Sequence, residues 1–121
     1  MFVCVDSLLA LVLELVSLHK IEDAVRILNT GRGVFVHRGE TANLHVYDRR
    51  TIESYFSEAG LVDIQCHGLL ISMSALGRDA CACAIASDQL GFLENERQLR
   101  EFSAVADLGK HLVIWARRPI G

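Results

Sequence analysis

The sequence predicts an α/β fold of the doubly wound kind, in which short apolar strands alternate with amphipathic helices packed on the faces of a sheet. Three observations carry this. The segment Arg26-Ile27-Leu28-Asn29-Thr30-Gly31-Arg32-Gly33, followed by Val34-Phe35-Val36-His37, reads as a helix end, a glycine turn and a short apolar strand, the step from a helix into a parallel strand. Similar alternation recurs along the chain in the order strand, helix, strand, helix, strand, helical insert, strand. The 121 residues are 51% hydrophobic and 22% charged, an ordinary globular balance at a length that fits one small domain, residues 1–121.

The elements follow from local pattern. Phe2-Val3-Cys4-Val5 is a continuous apolar run bounded by Asp6-Ser7, as in a strand buried on both faces. Asp6 or Ser7 can cap the next helix, because a short side-chain oxygen accepts from the unpaired N–H groups of a first turn. Leu8, Leu11, Val12, Leu15 and Val16 repeat at helical spacing, with a break near Ser17. Leu18, Ile21, Val25 and Leu28 then recur at three and four residues, giving an amphipathic helix that buries one stripe and ends at Asn29 or Gly31. Val34 to His37 is a second strand, and Gly39 through Leu44 a loop. Asp48 caps a third helix with Ile52, Tyr55, Phe56 and Ala59 inward and Gly60 as its stop. From Leu61 the sequence alternates, with Val62, Ile64 and Cys66 on one side and Asp63, Gln65 and His67 on the other, as in a half-exposed strand. Gly68 to Gln89 reads as loop with one short helix, and Leu90 to Phe102 as a helix. Leu112-Val113-Ile114-Trp115-Ala116 is the last strand, with Trp115 in the core, and Pro119 cannot continue its ladder.

Composition excludes several classes. A net charge of −3, with twelve Lys and Arg residues scattered along the chain, forms no basic stripe for nucleic acid. The first eighteen residues are apolar, but Asp6 and Glu14 interrupt them and no basic residue leads them, so neither a transmembrane helix nor a signal peptide is expected. The expected setting is cytoplasmic. Cys4, Cys66, Cys81 and Cys83 form no secreted-type framework and are expected as reduced thiols.

Three stretches carry a resemblance: Arg26 to Gly33, Thr51-Ile52-Glu53-Ser54-Tyr55-Phe56-Ser57-Glu58-Ala59-Gly60-Leu61, and Ala106-Asp107-Leu108-Gly109-Lys110-His111-Leu112-Val113-Ile114-Trp115-Ala116-Arg117-Arg118-Pro119. In order and spacing they resemble the C-terminal half of class I S-adenosylmethionine-dependent methyltransferases. Thr30 stands where that family's first stretch has proline, and Arg32 where it has a glycine. The resemblance implies a partial Rossmann-like sheet with three parallel strands plus an antiparallel last strand. Phe2 to Val5 would be the family's fourth strand, Val34 to His37 the fifth, and Leu61 to Cys66 and Leu112 to Ala116 an antiparallel closing pair. Earlier strands and the Gly-x-Gly donor loop have no counterpart here. Gly31-Arg32-Gly33 precedes a strand instead of following one and opening a helix, so it fails the context test for a nucleotide loop.

The implied cofactor is S-adenosylmethionine. Val5, Asp6 and Ser7, at the end of the implied fourth strand, are the residues that would face it, although capping is the plainer role for Asp6 and Ser7 and is compatible with it. His37 and Arg38, with Glu40, follow the fifth strand and would line the pocket of a small-molecule acceptor, since ligands of open α/β sheets bind beyond the carboxyl ends of strands. Solvated loop charges are the commoner fate of such residues. Cys81-Ala82-Cys83 with His67 lacks the paired spacing of a structural zinc site, so no metal is expected, and no residue is assignable as a general base.

Two functions remain open at this level. One is methyl transfer, which depends mostly on aligning an acceptor with an already electrophilic methyl group; activity of this chain alone is doubtful without the donor loop. The other is a non-catalytic or truncated module that completes its sheet by self-association or with a partner chain, because an apolar first strand left at an edge invites pairing.

Overall fold

The computed structural model describes residues 1–120, apart from the side chains of Phe35, Val36 and His37. In chain order the elements are β1 (Phe2–Asp6), α1 (Leu8–Ser17), α2 (Ile21–Thr30), β2 (Arg32–His37), β3 (Glu40–His45), α3 (Arg49–Glu58), β4 (Val62–Leu69), α4 (Ile71–Leu76), α5 (Arg78–Ser87), α6 (Gln89–Leu99), a 3-10 segment (Ser103–Leu108) and β5 (His111–Arg117).

The α/β class holds, but the sheet direction does not. The main sheet has the order β1-β5-β4 and both of its pairings are antiparallel, which overturns the three parallel strands expected from the sequence. Because β1 and β4 both oppose β5, they run in the same direction with the antiparallel last strand between them. The expected second strand is absent from this sheet. It pairs instead with β3 in a separate two-stranded ribbon, in register from Arg32↔His45 to His37↔Glu40.

The reason is local. Arg38 and Gly39 both take positive φ, 51° and 80°, the two-residue geometry whose twist matches that of a hairpin. Closing that short loop costs far less chain entropy than a crossover back to the main sheet. The stretch from Gly39 to Leu44, expected as loop, is therefore mostly strand. An arginine at the first turn position hides the signal, because Asn or Asp is its usual mark.

One face of the main sheet holds the core. Directly opposed residues share a face, so the register sets Val3, Ile114 and Cys66 together, and Val5, Leu112 and Gly68 together. Ile52 and Phe56 of α3 and Ala106 of the 3-10 segment close over them, and Leu112 and Ile114 are 0% exposed. The opposite face carries Phe2 against Trp115, Cys4 against Val113, and Gln65 and His67 of β4. Helices cover it poorly: Phe2 is 68% exposed and Trp115 39%. Neither the full burial expected for Phe2 to Val5 nor the core position expected for Trp115 is found. α1 and α2 pack on each other around Ala10, Ala24 and Ile27, which leaves this second face open and corrects the expectation of helices on both.

Between Gly68 and Gln89, where one short helix was expected, β4 runs on to Leu69 and two helices follow. Small residues conceal the helical period there. The start of α4 depends on a distant group: the Glu96 carboxylate of α6 accepts from the N–H groups of Ile71 at 3.2 Å and Ser72 at 2.7 Å. On α6 itself, hydrogen bonds from Arg97 and then Gln98 hold the Glu94 carboxyl down at about 2.

Candidate functional site

The carboxyl end of β1 is where the sequence places a cofactor. Ser7 is 1% exposed, and its hydroxyl donates to the Asp107 carbonyl at 2.7 Å while accepting from Ala10 N–H at 3.4 Å, capping α1. The neighbouring Asp6 carboxylate lies 2.9 Å from His111 Nδ1. Val5 packs on the core. The Asp107 carboxylate accepts from Arg49 N–H at 2.7 Å at the start of α3. Burial pushes the nearby Cys66 thiol up to about 12, with the negative charges of Glu53 and Asp107 adding to it. All three predicted cofactor residues are thus engaged with their own chain. The three strand-to-helix turns, at Ser7, at Val46 to Asp48 and at Leu70, carry no glycine that would let a backbone approach a nucleotide. Engaged in this way, these residues do not fit S-adenosylmethionine.

His37 and Arg38, the predicted acceptor contacts, lie at the tip of the β2–β3 hairpin, Arg38 exposed with Glu40; the side chain of His37 is outside the described residues. The hairpin base lies five rungs away, roughly 17 Å at the ordinary rise per residue. That base is what meets β1: Tyr47 N–H donates to Asp6 C=O at 3.1 Å and Leu8 N–H to Tyr47 C=O at 2.9 Å, a parallel bridge opposite Ser7. The structure therefore brings Val5 to Ser7 together with Val46 and Tyr47 and leaves the predicted acceptor residues at the far end.

Two concavities stand out among the described residues. A cleft of about 410 Å³ opens where α2 ends and α3 begins, lined by Arg32, His45, Tyr47, Asp48, Thr51 and Tyr55 among others. The rings of Tyr47 and Tyr55 meet edge to face with centroids 6.1 Å apart. A smaller groove of about 190 Å³ lies on the open sheet face around His67, Trp115, Arg100 and Val113. There the His67 ring stacks on Trp115 at 4.9 Å, and its Nδ1 lies 2.8 Å from the Arg100 carbonyl. None of the cleft residues stands out in the sequence as a site. The one available signal was the clustering of His45 and Tyr47 directly before Asp48, the α3 cap.

Cys66 and Cys81 are buried while Cys4 and Cys83 are exposed, so Cys81 and Cys83 differ in exposure on α5. Among the described residues no helix is long and apolar enough to cross a membrane. No known protein-family model matches this chain, and no curated protein matches it.

Proposed function

We propose that this chain is a non-catalytic association module, and that it self-associates by adding β1 of a second copy along the outer edge of its own β1. The observation that carries this is the unpartnered edge. Met1 exchanges both backbone bonds with Ala116, and Ser7 N–H donates to Lys110 C=O. The alternation of an antiparallel ladder then turns Val3 and Val5 toward β5, and Phe2, Cys4 and Asp6 outward. Tyr47 occupies the Asp6 carbonyl, leaving Phe2 and Cys4 with outward N–H and C=O groups and, among the described residues, no neighbouring strand.

That edge is self-complementary. An antiparallel approach of two copies about a two-fold axis at Val3 sets Phe2 of each against Cys4 of the other and forms four backbone bonds, an isologous contact. Surface area supports a large partner. The chain exposes 8447 Å², whereas a compact monomer of 13.4 kDa exposes roughly 6,500 Å². The excess of roughly 2,000 Å² is above what one partner contributes to a standard interface and within the obligate range. The methyltransferase resemblance rests on the three sequence stretches alone. A reducing cytoplasmic setting, with Cys4 kept as a thiol, suits the reading.

Light scattering across a concentration series tests it. A mass of twice the chain is expected, reverting to one chain in Cys4→Pro, because proline there removes only an outward donor and edge positions tolerate it. Cys4→Lys should do the same through charge. Wild-type protein that stays monomeric at high concentration, or variants that associate as well as wild type, would sink the proposal. Calorimetry with S-adenosylmethionine checks the non-catalytic part, and micromolar binding by the folded chain would refute it.

A further inference from the structure

Arg32 and His45 face each other across the first rung of the β2–β3 ribbon. Val46 N–H donates to Gly31 C=O at 3.0 Å, so the neighbouring rung is the bonded one and Arg32↔His45 is the other kind. In such rungs side chains stand closest, with Cβ atoms about 4.5–5.5 Å apart on one face. A guanidinium and an imidazole therefore sit side by side, and both line the 410 Å³ cleft. Among the described residues no ion pair involves either of them. Asp48, the carboxylate that shares the cleft, directs Oδ1 to Thr51 N–H at 2.7 Å as the cap of α3. Thr30 Oγ1 accepts from Arg32 N–H at 3.2 Å and holds the backbone beneath the guanidinium.

We infer that this cleft binds a small aromatic oxyanion, with the oxyanion between Arg32 and His45 and the ring against Tyr47 and Tyr55. The volume lies in the range of small-molecule sites, and a few convergent polar groups beside aromatic walls are their usual make-up. A guanidinium matches the two oxygens of a carboxylate or phosphate with parallel N–H donors. The edge-to-face tyrosines supply rigid surface for a planar body.

Titration followed by amide chemical shifts tests it, with phenyl phosphate, benzoate and phenol as probes. Phenyl phosphate or benzoate should bind at least about tenfold more tightly than phenol, as expected for a charge-assisted contact, and the stronger of the two identifies the preferred oxyanion. The shifts should map to Gly31, Arg32, His45 and Tyr47, and added salt should weaken binding. Arg32→Gln and His45→Gln, both at exposed positions, should each weaken it by about tenfold while the spectrum stays that of a folded chain. Equal binding of phenol, no binding of either anion, unchanged affinity in both variants, or shifts that map to the His67–Trp115 groove would each overturn the assignment.

Discussion

Gly109→Ala should be among the most damaging single-methyl additions available in this chain, and the reason is space. Gly109 has φ −63°, an ordinary value that any residue adopts. A Cβ built there lies 2.6 Å from Gly68 Cα and 2.6 Å from Leu69 N. Ordinary carbon contacts fall near 3.5–4.0 Å, so something must move by about 1 Å. What must move is backbone of β4, which is laddered to Leu112 and His111 of the central strand. Gly68 faces the same difficulty from the other side, since a Cβ on it would run into the Ala106 carbonyl oxygen. Overpacking costs typically 1–3 kcal/mol, and with no flexible side chain to yield, the cost should reach about 3 kcal/mol. For a domain of this size that corresponds to a fall of about 10 °C in Tm. Gly60→Ala is the control. Its Cβ meets nothing within 4 Å, but its φ of 83° is left-handed, so the cost should be only about 1 kcal/mol. Urea unfolding of the two variants against wild type, compared at equal m-values, measures the difference. Should Gly109→Ala cost no more than Gly60→Ala, the close backbone contact between β4 and the end of the 3-10 segment is wrong.

Three further outcomes follow from the same structure. Ser7→Ala removes the α1 cap and strands the part-buried Asp107 carbonyl, so it should cost about 2 kcal/mol in urea unfolding; a loss under about 0.5 kcal/mol would show that Ser7 is not the structural residue described above. Cys66 should resist iodoacetamide at pH 8 while Cys4 and Cys83 react, because only the thiolate attacks and burial holds the Cys66 thiol protonated up to about 12. The sign of its pH effect follows from the raised value: the folded pKa of about 12 exceeds the ordinary 9.0, so the stabilising contribution is whole below pH 9 and is lost as pH rises toward 12. The fall in Tm over that window should be steeper in wild type than in Cys66→Val, and parallel curves would refute it.

Much of the local structure was legible because it is set by neighbours in sequence. The spacing of Ile52, Phe56 and the flanking Asp48 and Gly60 marks α3, and Asp48 does cap it through Thr51 N–H. The alternation from Ile64 to His67 marks a strand with two unlike faces, as β4 is there, whereas a register shift between Val62 and Gln65 sets Val62 opposite Arg117 and off the face that Cys66 shares with Ile114. The hairpin was illegible because Arg38 takes a conformation usually left to Asn, Asp or Gly. The start of α4 was illegible because its cap comes from Glu96, some 25 positions away. At the candidate site, sequence order suggested that residues following successive strands would converge, as in parallel sheets. With β2 folded back on β3, His37 and Arg38 are carried to the ribbon tip, and Arg32 and His45, which have no motif to mark them, become the paired groups.

Sequence alone determined the α/β class, the places of β1, β2, β4 and β5, and the helix that buries Ile52 and Phe56, since periodicity and caps act within one or two turns. Tertiary structure alone decided which strands pair, in what direction, and which face stays open. Those choices depend on contacts between distant segments, such as Gly68 against Ala106 and Phe2 against Trp115. Strand direction leaves little trace in a short apolar run, because Val, Ile, Leu and Cys pack equally well either way. The cheaper closure of the Arg38–Gly39 turn decided what periodicity could not.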